Sequence, residues 1–145
     1  MKGRGQPKRK KPQRFHHTFE FPAISANQLW IVRGKHRCPS GAYNKFKRKF
    51  FDALKEAGYK KGCLNLSGNL KIHMEVHFSN KRSDLDNSIK AVLDSLVSFF
   101  GKWDDSQVAE IEMKKYLCHK GDEKFNVLIT KVRRNIDQRE RRRKK

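Results

Sequence analysis

Hydrophobic residues along this chain fall into two rhythms. From Leu70 to Phe78 they alternate. Leu70, Ile72, Met74, Val76 and Phe78 point to one face of an extended strand, and Lys71, His73, Glu75 and His77 to the other. One face is expected to meet helices and the other solvent or a partner. His73 and His77 lie too far apart along a strand for easy shared ligation, and they read as structural or solvent-facing. Elsewhere the spacing is three and four. Tyr43, Phe46, Phe50, Leu54 and Ala57 predict a helix that begins after the N-cap Ser40 and ends before Gly58. Ile89, Val92, Leu93, Leu96, Phe99 and Phe100 predict a second helix, from about Asp86 to Phe99, stopped by Gly101. Shorter runs predict strands at residues 17–21, ended by Pro22, and at 29–33. Residues 34–39 read as an exposed basic connection, and 58–69 as a loop. Two closing strands are expected at 107–117 and 125–132, and the short turn between them predicts antiparallel pairing. No internal repeat is visible. The fold class is α/β (α+β mixed): a single small domain over residues 15–135, with two main helices on a mixed or antiparallel sheet of about four or five strands.

Charge changes this picture more than composition does. With 36% hydrophobic and 34% charged residues in 145, there is material for one core and none for a second. The formal net charge is +20. Residues 1–14 carry 7 basic and no acidic side chains, and residues 139–145 carry 6 basic and 1 acidic. Residues 1–14 read as a disordered basic arm and 136–145 as a basic tail. Removing these two runs leaves a body of net +8, basic on its own account. Such a field steers polyanions and gains affinity by counterion release, so a nucleic acid is the expected partner, although charge does not distinguish DNA from RNA. The chain has no apolar run of membrane-spanning length, and its basic N-terminus leads into no apolar stretch of the secretory kind. Cys38, Cys63 and Cys118 lie far apart, as in a reducing cytosol rather than a disulfide scaffold, and with His36 or His119 they make only a loosely spaced zinc set. A cytoplasmic location is expected.

In so basic a chain, clustered aspartates need a reason. Asp84 and Asp86 stand two apart, on one side if the chain there is extended, and Asp104 and Asp105 follow the second helix. If the two segments meet, three or four carboxylates share a site. Two like charges about 4 Å apart repel by roughly 4 kcal/mol at an effective dielectric of about 20, so such a site calls for a cation. Oxygen donors alone suit Mg²⁺ or Mn²⁺ rather than zinc. A metal there polarises a phosphate and lowers the pKa of an attacking water, which makes phosphodiester hydrolysis the natural chemistry. Asp86, Lys90 and Asp94 fall at i, i+4 and i+8 of the expected helix, where an ammonium can hold a scissile phosphate. The competing reading is plainer: Asp84 or Asp86 caps the helix, and Lys90 makes surface ion pairs worth a few tenths of a kcal/mol. Ser83, Ser88 and Ser106 have no neighbouring histidine base, so no covalent intermediate is implied.

These residues carry a resemblance. The run Arg82-Ser-Asp-Leu-Asp-Asn87 with Lys90, Asp94 and Leu96, then Gly101 and Trp103-Asp-Asp-Ser-Gln-Val108, resembles the signature of the RusA family of Holliday-junction resolvases. The early strand, the turn from Pro22 to Asn27 and the Tyr43 helix add weaker support. The departures are a single proline where the family usually shows two, Ser25-Ala-Asn27 in place of the usual pattern, and the long basic ends.

The resemblance implies that Asp84, Asp86 and Asp105 are catalytic Mg²⁺ ligands, with Mn²⁺ able to substitute, and that Lys90 is an essential lysine near the scissile phosphate. Asp104 and Asn87 would support them from behind. It further implies a homodimer that nicks two like-polarity strands of a four-way junction, in a family often encoded by phages. The expected DNA contacts are Lys81, Arg82, Lys102, Lys45 and Lys49 on the body, and Arg141, Arg142 and Arg143 in the tail. A two-fold junction asks for two sites related by a two-fold axis. Phe99, Phe100 and Trp103, or the region of Leu29 and Trp30, are candidates for that interface. Two other readings stay open: a noncatalytic double-stranded nucleic-acid-binding protein, and a less selective metal-dependent nuclease.

Overall fold

The computed structural model describes residues 11–132. Most of the expected N-terminal arm and all of the residues expected as the C-terminal tail lie outside the described residues. In chain order the elements are β1 (Phe15–Phe19), β2 (Trp30–Arg33), β3 (His36–Pro39), α1 (Gly41–Glu56), β4 (Leu70–Phe78), α2 (Ile89–Phe100), β5 (Val108–Leu117) and β6 (Lys124–Lys131). Three 3-10 turns, Ala26–Gln28, Asp86–Ser88 and Asp105–Gln107, precede β2, α2 and β5. A four-stranded sheet runs β1-β6-β4-β5, and β2 pairs with β3 in a separate hairpin. The architecture is thus a mixed α/β single domain with two main helices.

β4 is interior to the sheet, paired with β5 on one edge and β6 on the other, and its alternation sorts its two faces. Leu70, Ile72, Met74 and Val76 are fully buried, while Lys71, His73 and Glu75 line the more open face. There His73 meets Glu75 at 3.3 Å and Glu112 at 3.4 Å, and the His77 ring stacks on Tyr116. On the covered face, Phe19 stacks between Phe50 of α1 and Phe125 of β6 at centroid distances of 4.3 and 4.7 Å. Tyr43, Phe46, Phe50 and Leu54 of α1 are buried, as their spacing predicts. The same core takes in Phe99, Phe100 and Trp103. These three residues were interface candidates, and they are spent inside the protomer.

Ser40 starts α1 as expected, accepting a hydrogen bond from the Tyr43 amide at 3.0 Å and donating one to the Gln28 carbonyl. Ser40→Ala removes both and leaves the Tyr43 amide, buried with its residue, short of its cap. It should cost about 1–2 kcal/mol, read as a lower midpoint in urea with unchanged slope.

Three expectations need correction. β5 and β6 do not pair, because β4 lies between them. A connection containing α2 returns the chain to the start of β4, so β5 enters parallel to β4, with Leu70 opposite Val108. The other edge of β4 is left to β6, which runs antiparallel to it. The turn after β5 therefore passes across the end of β4, where the Cys118 amide bonds the Phe78 carbonyl at 2.9 Å. Residues 34–39 are not a plain connection either. Gly34, at φ 63, opens a two-residue turn that folds 36–39 back on β2 as β3. Finally, α2 begins at Ile89, after the 3-10 turn Asp86–Ser88, so Asp86 and Lys90 are not separated by one α-helical turn. No helix among the described residues is long and apolar enough to cross a membrane.

Candidate active site at the head of the second helix

The segment that leaves β4 carries the first pair of aspartates. Asp84 and Asp86 are both exposed, and neither caps a helix: no side chain makes a cap hydrogen bond at the 3-10 turn or at α2. The Ser88 hydroxyl turns back to the Leu85 carbonyl at 2.6 Å instead. Asp84 accepts a hydrogen bond from Asn87 Nδ2 at 3.4 Å, which joins these two expected site residues. The helix-cap explanation therefore fails on geometry for Asp84 and Asp86, whereas Asp104 does stand at the N-cap of the Asp105–Gln107 turn.

A cleft of about 380 Å³ opens beside Asp84, lined also by Arg82, Asn87, Ser25 and Asn27. It sits where β4 ends and α2 begins, with the amide-rich head of the helix nearby, a favourable place for an anion. The Pro22-to-Asn27 turn thus meets the first acidic segment, a juxtaposition that the sequence left open. Glu123 lines the same cleft, which periodicity alone did not reveal. The turn that crosses the end of β4 brings it there. A hydrogen bond from Ser79, backed by backbone amides, holds its carboxyl below the usual range.

Lys115 is a second residue that sequence reasoning missed. From β5 its ammonium donates to the carbonyls of Lys81 and Ser83, at 2.6 Å each. It thereby ties the segment ahead of Asp84 to the outer strand. Nothing in an alternating strand marks one lysine for that role.

The second acidic pair follows α2 in the chain, and its 3-10 turn packs against that helix. Gln107 anchors the second segment. Its amide donates to the Leu66 and Gly68 carbonyls, at 2.8 Å each, and its oxygen accepts from the Asp104 amide at 2.9 Å. The Asp104 carboxyl is held below its ordinary value, first by the Ser106 hydroxyl and then by Asp105. Asp105 is raised, first by its hydrogen bond to Asp104 and further by the negative charge of Asp104 and Asp94, while Lys90 opposes the rise. Asp105 therefore lies in the field of Lys90.

Lys90 pairs with Asp94 at 3.6 Å. Asp94 also accepts a 3.5 Å hydrogen bond from the Tyr43 hydroxyl. Burial, and then Asp94, push the Tyr43 hydroxyl up to about 12, so it remains a proton donor to that carboxylate. Tyr43 thus buttresses Asp94, which in turn holds Lys90.

Among the described residues, no group of three or more His, Cys, Asp or Glu side chains stands ready to hold a metal. The donors nonetheless fit a hard cation in kind. They are carboxylate oxygens, and the negative charge of Asp104 helps raise Asp105, a repulsion that a bound cation would relieve. Mg²⁺ commonly takes one or two carboxylates and completes its shell with water and substrate phosphate oxygens, so a full protein cage is not required. Of the expected DNA contacts, Lys45, Lys49, Lys81, Arg82 and Lys102 are exposed. Arg141, Arg142 and Arg143 lie outside the described residues.

Among curated proteins, none matches this chain. A family model does: residues 20–130 match that of endodeoxyribonuclease RusA, a span that begins just after β1 and holds β2 through β5, both acidic segments and all of β6 except Lys131. With that much of its length matched, the chain belongs to the RusA family of endodeoxyribonucleases.

Proposed function

We propose that this protein is a Mg²⁺-dependent endodeoxyribonuclease that resolves four-way junctions and other branched DNA by paired, symmetric nicks. Nuclease activity follows from the family; the metal, the substrate and the residues are the finer reading. The observation that supports it best is the state of Asp84 and Asp86. In a chain of net charge +20, two neighbouring exposed carboxylates cap nothing, and one of them, Asp84, lines a polar cleft.

In this reading Asp84, Asp86 and Asp105 would hold the ion, with Asp104 and Asn87 behind them. Bound there, Mg²⁺ would polarise the scissile phosphate and lower the pKa of an attacking water. Arg82, Lys81 and Lys102 bind backbone phosphates on either side, and Lys45 and Lys49 extend the grip along α1. Lys90 places positive charge where negative charge develops on phosphorus. Asp94 and Tyr43 set the position of that ammonium. Gln107 and Lys115 hold the two acidic segments in place through backbone carbonyls.

A two-fold junction cut on opposed strands requires two such sites, hence a homodimer. The deciding experiment incubates the protein with a synthetic four-way junction, with and without Mg²⁺. Symmetric nicks that depend on the metal are expected. Tight binding with no nicks in Mg²⁺ or Mn²⁺ would favour a noncatalytic binder. Equal cutting of junction, flap, bubble and linear duplex would leave an unselective nuclease.

The basic tail is expected to add grip and no chemistry, since residues 139–145 carry 6 of the 35 basic residues and none of the site carboxylates. Their removal should weaken junction binding and leave cleavage at low salt intact. Each lost phosphate contact should flatten the plot of log K against log salt by about 0.9. An unchanged slope would show that the tail does not touch DNA.

A further inference from the structure

The β2–β3 hairpin is an arm without a core. Trp30, Ile31 and Val32 are 37%, 38% and 77% exposed, and only Cys38 in the two strands is even partly buried. Its cations are Arg33 and Arg37 on the strands and Lys35 in the turn. No Asp or Glu occurs between Glu20 and Asp52. Solubility explains the cations but not three exposed apolar residues beside them.

The base of the arm is fixed and the tip is free. The Ser40 amide bonds the Leu29 carbonyl at 2.8 Å across the two ends of the hairpin. The Arg37 guanidinium lies 4.9 Å over the Trp30 ring, and Trp30 packs 5.9 Å from Tyr43. Tyr43 is the residue that buttresses Asp94, the partner of Lys90. The 3-10 turn before β2 also touches both α2 and the Asp86–Ser88 turn. The hairpin therefore projects from the side of the candidate active site.

We propose that this hairpin recognises the branch point of DNA: Arg33 and Lys35 hold phosphates, and Val32 at the tip contacts bases left unstacked at the crossover. The inference rests on the nuclease reading and goes beyond it to the source of substrate preference. Apolar side chains that enter a continuous duplex must first part its stacked bases, at a cost of a few kcal/mol per step. Stacking is already interrupted at a four-way crossover, so the same contact there avoids that cost. An apolar tip on a cationic ribbon thus favours branched over linear DNA. A second copy of the chain is the weaker occupant, because two hairpins brought together would set like charges against each other.

The test measures binding in EDTA of wild type, Val32→Ser and the double variant Arg33→Gln/Lys35→Gln, each to a synthetic four-way junction and to a linear duplex of the same length. All three substituted residues are exposed, and thermal melts check that the variants fold. The double variant should weaken binding to both DNAs and flatten the salt plot by about 1.8, for two phosphate contacts. Val32→Ser should lose about tenfold on the junction, from lost apolar burial, and less than about twofold on the duplex. Equal affinities for all three proteins on both DNAs would overturn the inference. So would Val32→Ser weakening both DNAs alike while sedimentation shows a dimer falling apart, which would assign the tip to a second copy. The nuclease reading is judged separately, by nicking with the wild type: a wild type that nicks the junction while the variants bind as it does loses only the arm.

Discussion

Asp84→Asn, Asp86→Asn and Asp105→Asn should each cut a four-way junction at least about a hundredfold more slowly, while binding holds or tightens. Each change removes a charge from the proposed ion site and keeps nearly the same shape. Each also makes a basic surface more basic, which is why binding should not suffer. Stability separates this reading from a structural one. Asp84 and Asp86 are exposed and cap nothing, so their amide variants should unfold within about 0.5 kcal/mol of wild type. A helix-capping aspartate would instead cost about 1 kcal/mol and leave turnover alone. Gel shift, nicking and urea denaturation on the same purified proteins supply all three readouts. Mg²⁺-dependent nicking retained by both Asp84→Asn and Asp105→Asn would remove these residues from the ion site.

Lys90→Ala should fold and bind the junction, yet lose about 10²–10³ in single-turnover rate at saturating Mg²⁺, the scale for deleting one donor from a developing charge. The alternative role is on view in the structure, where Lys90 makes an i,i+4 pair with Asp94 at 3.6 Å with its side chain 54% exposed. Exposed pairs of that kind are worth roughly 0.3–0.5 kcal/mol, and losing one does not slow chemistry. Three features favour the catalytic role. Asp94 has a second partner in Tyr43, so it is held in place independently of the lysine. Asp105 feels the charge of Lys90, which places the ammonium near the other acidic segment. And no ion pair between Asp86 and Lys90 is needed to hold the helix start, since α2 begins only at Ile89. Lys90→Arg should rescue only in part, because a planar guanidinium differs in size and geometry from an ammonium. Lys55→Ala, on α1, is the control and should change binding modestly and rate hardly at all. Near wild-type cleavage by Lys90→Ala would return the lysine to the surface ion pair.

What the sequence determined by itself was local. The spacing of Tyr43, Phe46, Phe50 and Leu54 marked the buried face of α1, and Ser40 marked its start, because periodicity and capping act within a few residues. The alternation from Leu70 to Phe78 marked a strand with one covered face, since burial of every second side chain needs no knowledge of the neighbours. The aspartates and Lys90 were legible as residue types at a spacing, which is also what the family match reads. Tertiary structure decided the rest. A short turn between the last two strands implied pairing, but the crossover through α2 placed β5 on one edge of β4 and left the other to β6. That order carried Glu123 across the end of β4 into the Asp84 cleft and put Lys115 within reach of the Lys81 and Ser83 carbonyls. It was also burial in three dimensions that drew Phe99, Phe100 and Trp103 inward while Trp30, Ile31 and Val32 stayed out on the hairpin. Strand order and the meeting of distant side chains depend on the path of the whole chain, because each contact closes a long loop whose entropy only the assembled core can offset.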